Sequence, residues 1–328
     1  MKREILETAP PIIRDFLTYS ETIKSKSSLS VAEYYTDLRT FFRFLKLSRG
    51  LVSSSLPFED ISISDVDLEL IKSVTLSDLF AFSVYCKDER DNKASTRARK
   101  TSTLRIFFSY LTSQARLIDV NPADRFEMPK AKPSLPKFLS LDESIALLGA
   151  VDGANKERDY CIITLFLNCG MRLSELCNIK LSDIKEDTIK IVGKGNKERM
   201  VYLNDACVAA ISDYMKVRPV DNVKAPYKNY LFISRLGNRI SPKTVQHLIN
   251  VYLEKAGLAN QGLSTHKLRH TAATLMYQHG DVDIRVLKDI LGHSNLGTTQ
   301  IYTHVSDQQA KAAVASNPLA KVGKQKKD

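Results

Sequence analysis

The residues best suited to chemistry lie near the C-terminus and in two earlier motifs. Between Thr265 and His304 fall five of the six histidines, His266, His270, His279, His293 and His304, together with Lys267, Arg269 and Tyr302. Imidazole has its ordinary pKa near neutrality, so such a cluster suits a site that moves protons beside an anion. Arg172 in CGMRLSEL and Lys194 in VGKGNKERMVYL add positive charge. A phosphodiester gains negative charge on its non-bridging oxygens as a nucleophile adds. Guanidiniums meet that charge well, because each donates paired hydrogen bonds and keeps its proton. Arg172 and Arg269 are the candidates for this role. Tyr302 is the candidate nucleophile, and since a phenol has a pKa of about 10 it needs cations nearby to favour the phenolate. Lys194, at the tip of an expected hairpin, would protonate the departing 5′ oxygen as general acid. His266 and His293 would donate to phosphate oxygens or pass protons. Glu175, three residues after Arg172 on the same helix face, would orient an imidazole or guanidinium. The expectation is that these groups converge on one DNA phosphate, which Tyr302 attacks.

Each residue alone has a plainer reading. A lone arginine serves as a structural ion-pair partner, and a tyrosine before Thr303 and His304 packs against its neighbours. His266 and His270 have the four-residue spacing of zinc ligands, but the metalloprotease helix needs a glutamate after the first histidine. Lys267 stands there, and Arg269 would repel a cation. No metal is expected.

The positioning elements are mainly helical. Over residues 1–118, Ile12, Ile13, Phe16, Leu17 and Ile23 recur at helical spacing. Ser30 with Glu33 reads as a capping box opening an amphipathic helix through Tyr34, Leu38, Phe41, Phe42 and Leu45. Ser53 to Asp60 reads as a loop broken by Pro57. Further helices are expected over Asp65 to Ile71, Ser77 to Tyr85 and Ser95 to Leu117. In the last, Leu104, Phe107, Phe108 and Leu111 point inward, while Arg97, Arg99, Lys100 and Arg105 decorate its start and outer face as candidate phosphate contacts. Residues 119–138 carry Pro122, Pro129, Pro133 and Pro136 with Lys130, Lys132 and Lys137. Proline at that density stops helices, so this stretch is the expected linker, and its lysines suit a strap along a duplex backbone.

Residues 139–320 form the expected second domain. Ser140 with Glu143 caps a helix to about Val151, and Lys156 to Asn168 is a buried helix stopped at Gly170. Arg172 opens a short helix through Cys177. Thr188 to Val192 and Glu198 to Leu203 read as a hairpin around Gly193 and Gly195, with Lys197 and Arg199 as candidate DNA-backbone contacts. Asn204 caps a helix to about Arg218, and Tyr230 to Ser234 reads as a short strand. Ser241 and Pro242 start a helix to Ala256 that brings in Lys243 as another candidate contact. Thr265 caps the helix of His266 and Arg269, and Val282 to Leu291 is the next. Ser306 with Gln309 opens a last helix, before a basic, disordered tail over 321–328.

Composition sets the outer bounds. A net charge of +11 favours a polyanionic partner, and 43% hydrophobic residues exclude wholesale disorder. The five cysteines form no CxxC pair and read as buried thiols in a reducing, cytoplasmic compartment. No apolar run follows Met1-Lys2-Arg3, so no signal peptide is expected, and the longest apolar stretch, Tyr160 to Leu167, is far short of a membrane span.

Together these motifs resemble the tyrosine site-specific recombinases of the phage integrase family, and most closely the Xer branch. The matching stretches are NCGMRLSELCNIKLSDI, VGKGNKERMVYL, THKLRHTAATLM, LKDILGHSNLGTTQIYTH and the linker PKAKPSLPKFLSLDE. SLSVAEYYTDLRTFFRFL and STLRIFFSYL resemble the family's helical core-binding domain. Its departures are a long Leu51 to Thr75 segment and Gly297 where serine is frequent. The resemblance implies a mainly α fold: a SAM-like helical core-binding domain and a catalytic domain with a small β-hairpin sheet, forming a C-shaped clamp on DNA. It implies a catalytic hexad of Arg172, Lys194, His266, Arg269, His293 and Tyr302, with Glu175 as accessory acid. It further implies a 3′-phosphotyrosyl intermediate, a Holliday junction and no cofactor. The partner would be a double-stranded recombination site held by a homotetramer, or by a tetramer that includes a second recombinase subunit type. A type IB topoisomerase-like nickase and a non-catalytic DNA-binding accessory protein are the rival readings.

Overall fold

The computed structural model describes residues 3–128, 137–193, 198–279 and 282–292. Lys130, Lys132, Lys194, Lys197, His293, Tyr302 and the expected Ser306 helix lie outside the described residues. The chain divides into two compact units, Met1–Pro133 and Ser134–Asp328. Among the described residues the fold is mainly helical, with one three-stranded sheet. None of those helices is long and apolar enough to cross a membrane.

The first unit holds α1 (Arg3–Thr8), α2 (Pro11–Thr22), α3 (Ser28–Ser48), α4 (Leu68–Lys72), α5 (Leu76–Asp88) and α6 (Ala94–Ser113). Its core is aromatic: Phe16, Phe41, Phe42, Phe82, Phe107 and Phe108 are fully buried and meet mostly edge to face. Each such ring contributes about 1.5–3 kcal/mol by leaving water. Helix α3 begins earlier than Ser30, because Ser27 is the residue whose hydroxyl accepts from the Ser30 N–H. Helix α4 likewise starts later than Asp65: Asp67 caps it, and Asp65 is taken by Lys46. The long loop after α3 is pinned to that helix by Arg43 donating to Ile61 O and Lys46 donating to Ser62 O.

One expectation for α6 is corrected. Lys100 does not face outward: it is 7% exposed and donates to Asp37, which is wholly buried on α3. Arg99 and the Thr103 hydroxyl complete the set around that carboxylate. These donors satisfy the buried carboxylate and lock α6 onto α3. Arg99 keeps an exposed edge although it is paired to Asp37. Arg105 is exposed, its guanidinium reaching Phe126 O, and Arg97 is half-buried.

The second unit is built on α8 (Lys156–Cys169), whose Cys161 to Leu167 segment is buried on every face. Around it lie α7 (Leu141–Gly149), α9 (Leu173–Cys177), the strands β1 (Ile184–Lys185), β2 (Thr188–Val192) and β3 (Glu198–Tyr202), then α10 (Asp205–Val217), α11 (Pro242–Lys255), α12 (Thr265–His279) and α13 (Ile284–Leu291). The side chains of Ser140, Asn204 and Ser241 cap α7, α10 and α11 as read from the sequence. Helix α12 starts at Thr265 itself, and the Ser264 carbonyl takes the N–H groups of Lys267 and Leu268. The sheet is antiparallel in the order β1-β2-β3, with Ile191 opposite Arg199. Tyr230 to Ser234 does not join it: only isolated bridges form, Lys180 with Tyr230 and Ile233 with Arg239. Leu231 and Phe232 in this stretch are buried, so its apolar run serves the core without a ladder. All five cysteines are buried free thiols.

Candidate active site

Arg172 stands at the N-cap of α9 in extended backbone geometry, and Glu175 is the third residue of that helix. The turn brings the carboxylate back onto the arginine. Glu175 Oε2 accepts from the Arg172 backbone N–H at 2.8 Å, and Oε1 accepts from Arg172 Nη1 at 2.7 Å. Arg172 Nη2 donates to the Gly292 carbonyl at 2.9 Å, across 120 residues of sequence. The guanidinium is therefore fixed on two sides while a third of its side chain, 33%, stays exposed.

Arg269 comes from the first turns of α12 and is almost wholly buried. It donates to Gly170 O at 2.7 Å and to Leu291 O. These carbonyls close α8 and α13, where helix ends leave acceptors unpaired and carry partial negative charge. One guanidinium thus joins three helices. Close approach demands glycine at Gly170: its φ is +57, and a Cβ there would lie 2.9 Å from the Leu291 side chain.

His266 lies one turn before Arg269 on the same helix, exposed at the rim, with its ring edge-on to His270 at 4.6 Å between centroids. Its pKa is pushed below the ordinary imidazole value, first by partial burial and then by the charges of Arg269, Lys267 and Arg172. The ring is therefore neutral at pH 7, a proton acceptor on one nitrogen and a donor on the other. Arg172, His266 and Arg269 line a single cleft of about 310 Å³. Pro242 lies on its wall, and the next residue, Lys243, is exposed.

Beneath the cleft, Glu175 is the only carboxylate found in the arginine cluster among the described residues, and it is 2% exposed. Burial alone would raise its pKa. The hydrogen bond from Arg199, the Arg172 backbone N–H and the Arg199 and Arg172 guanidiniums outweigh burial and hold it at about 2. Arg199 corrects a second expectation. It does not project from the hairpin toward solvent but turns inward and grips Glu175 with both ends of its fork, at 2.8 and 3.0 Å. Strand parity was the missed signal: Arg199 shares the inward face of β3 with buried Val201. Gly292 was missed as well. It closes α13 with φ +64, presents its carbonyl to Arg172, and leaves space that a Cβ would take from Arg199, 3.0 Å away.

The model of the phage integrase family matches residues 137–309, more than half of the chain. The chain belongs to the phage integrase family. This recombinase is 54% identical to the tyrosine recombinase XerC of Caldanaerobacter subterraneus subsp. tengcongensis, over 95% of the chain and 88% of that protein. It is 34% identical to the tyrosine recombinase XerD of Proteus mirabilis, over 84% and 90%. It is thus a Xer-like tyrosine recombinase. Its fold is similar to that of the XerH site-specific recombinase bound to difH substrate before cleavage, with a TM-score of 0.68 at 22% identity over 95% of the chain and 86% of that one. It is similar also to the Tn1549 transposon integrase in complex with circular intermediate DNA, with a TM-score of 0.66 at 20% identity over 93% and 99%. For this recombinase, then, the cleft of Arg172, His266 and Arg269 is the part of the expected hexad that lies among the described residues.

Proposed function

We propose that this recombinase cuts and rejoins double-stranded DNA at a specific site, with the scissile phosphate seated in the cleft of Arg172, His266 and Arg269. The observation that carries the reading is the joining of two anchored guanidiniums and a neutral imidazole on one cleft, over a carboxylate already neutralised from below. Tyr302 Oη attacks the phosphorus. Its proton passes to the His266 ring, and the two guanidiniums take the charge that develops on the phosphate oxygens. The bond from phosphorus to the 5′ oxygen breaks as the bond to tyrosine forms, and Lys194 gives that oxygen its proton. His293 donates to a phosphate oxygen. In the reverse sense, the 5′ hydroxyl of a partner strand attacks the 3′-phosphotyrosyl link, Tyr302 leaves, and the proton returns to it. One phosphoester replaces another, so the reaction draws on no ATP.

Exchange of both strands through a Holliday junction calls for four subunits on two sites, either four copies of this chain or two kinds of recombinase. The apolar face of the Ser306 to Ala315 segment, with Ala310, Ala313 and Val314, would seat on a neighbouring copy. The cleft of about 450 Å³ between Met200 and Tyr202 of β3 and Val286 and Ile290 of α13 supports such a seat. Exposed Arg99 and Arg105 on the first unit, with Lys130, Lys132, Lys197 and Lys243, are proposed contacts to the duplex backbone. Such a protein works where chromosomal or mobile DNA is found, in the cytoplasm. Incubation of the purified protein with a supercoiled plasmid carrying two copies of its site tests the reading. Exchange products between the sites are expected. Relaxation of supercoils without any exchange would favour a nickase instead.

A further inference from the structure

Arg199 has no part in the reaction as written above, yet it touches the two groups that hold Arg172, Glu175 and Gly292. Its fork holds both oxygens of Glu175, the same carboxylate that binds the backbone N–H and the guanidinium of Arg172. Arg269 lies at 3.9 Å from that carboxylate. Gly292 packs directly on the Arg199 guanidinium, and the Gly292 carbonyl holds Arg172. In sequence, Arg199 follows Lys194 by five residues and Gly292 precedes His293.

The electrostatics follow from this geometry. Among the described residues one carboxylate faces three guanidiniums, so this set carries two net positive charges beside the cleft. If Arg199 were neutral, Glu175 would be the counter-charge of Arg172 and Arg269 only, and a single net positive charge would remain in this set. In a partly buried setting a lost charge a few ångströms from the phosphate is not screened away.

We infer that Arg199 is a positioning residue for strand cleavage: by taking both oxygens of Glu175 it leaves Arg172 its charge for the scissile phosphate, and it ties β3 to the Gly292 turn that closes α13. Arg199 itself stays under the cleft and reaches no DNA. The inference rests on the reading that Arg172 binds that phosphate.

Single-turnover cleavage of a nicked suicide duplex, at saturating protein, separates rate from binding. Arg199→Met is expected to slow cleavage on the order of tenfold or more, with half-saturation by DNA unchanged within about threefold. Arg199→Lys keeps the charge without the fork and should cut faster than Arg199→Met. The Glu175→Gln/Arg199→Met double variant has two net positive charges again, buries no lone carboxylate, and keeps an acceptor for the Arg172 N–H. It should recover most of the lost rate. Recovery by a second substitution is not what a merely structural role would give. If Arg199→Met does not fold, as judged by thermal denaturation, the double variant decides: a rate near that of wild type supports the inference, and a rate as low as that of Arg172→Ala overturns it. Cleavage by folded Arg199→Met at the wild-type rate, or a double variant no faster than it, also overturns it. A wild-type protein that binds DNA and cleaves nothing would instead defeat the underlying reading.

Discussion

Replacing Arg172 by alanine is expected to lower the strand-cleavage rate by about a hundredfold to a thousandfold, the effect of removing one preorganised donor from a developing oxyanion. Two of the five N–H groups of this guanidinium are committed among the described residues, one to Glu175 and one to the Gly292 carbonyl. The group is thus aimed before DNA arrives, and the edge that remains is the one on the cleft. Binding depends on many phosphates along the duplex, so DNA affinity should change little. Arg172→Lys should fail to restore the rate, because a single ammonium cannot hold Glu175, Gly292 and a phosphate oxygen from one plane. Single-turnover rates beside binding curves make the measurement. A variant that binds and cleaves like wild type would remove Arg172 from the chemistry.

Glu175→Ala is expected to act on stability first. The change leaves the buried guanidiniums of Arg199 and Arg269 without their carboxylate, and breaking such a buried set by one partner costs about 3–5 kcal/mol. Denaturant unfolding at pH 7 would read this as a lower midpoint. The pH dependence has a definite sign. The folded pKa, about 2, lies below the ordinary value of 4.5. Below pH 4.5 the unfolded chain takes up a proton at Glu175 that the folded chain refuses. The contribution is therefore complete above that pH, shrinks as pH falls, and is gone below about 2. Its full size is about 3 kcal/mol. The gap in stability between wild type and Glu175→Ala should narrow as pH is lowered from 4.5. A gap that stays constant over that range would mean that Glu175 is held by something other than its charge.

What could be read from the sequence was local. Caps at Ser140, Asn204 and Ser241, the stop at Gly170 and the aromatic face of α6 depend on residues within one or two turns. The Arg172 and Glu175 pair was legible for the same reason, at a spacing of three. Lys100 and Arg199 were misread because their partners are remote. Asp37 lies 63 residues from Lys100, and Glu175 lies 24 residues from Arg199. A charged side chain reads as a surface group until its buried counter-charge is known. Gly292 escaped for a related reason: a glycine after a helix reads as a stop, and nothing local says that its carbonyl holds an arginine from α9. Tyr230 to Ser234 has the composition of a strand, but among the described residues it makes only isolated bridges, and burial uses the side chains of Leu231, Phe232 and Ile233 instead.

The central claim is that a phenol becomes esterified to a DNA 3′ end over the Arg172 and Arg269 cleft. Its most direct test is covalent trapping on a nicked duplex whose 5′ fragment is lost after cleavage. Wild type should give a protein–DNA adduct that survives denaturation, with the DNA-bearing peptide containing Tyr302, and Tyr302→Phe should give none. An adduct that persists in Tyr302→Phe, or a wild-type protein that binds its site and forms no adduct, would contradict the account.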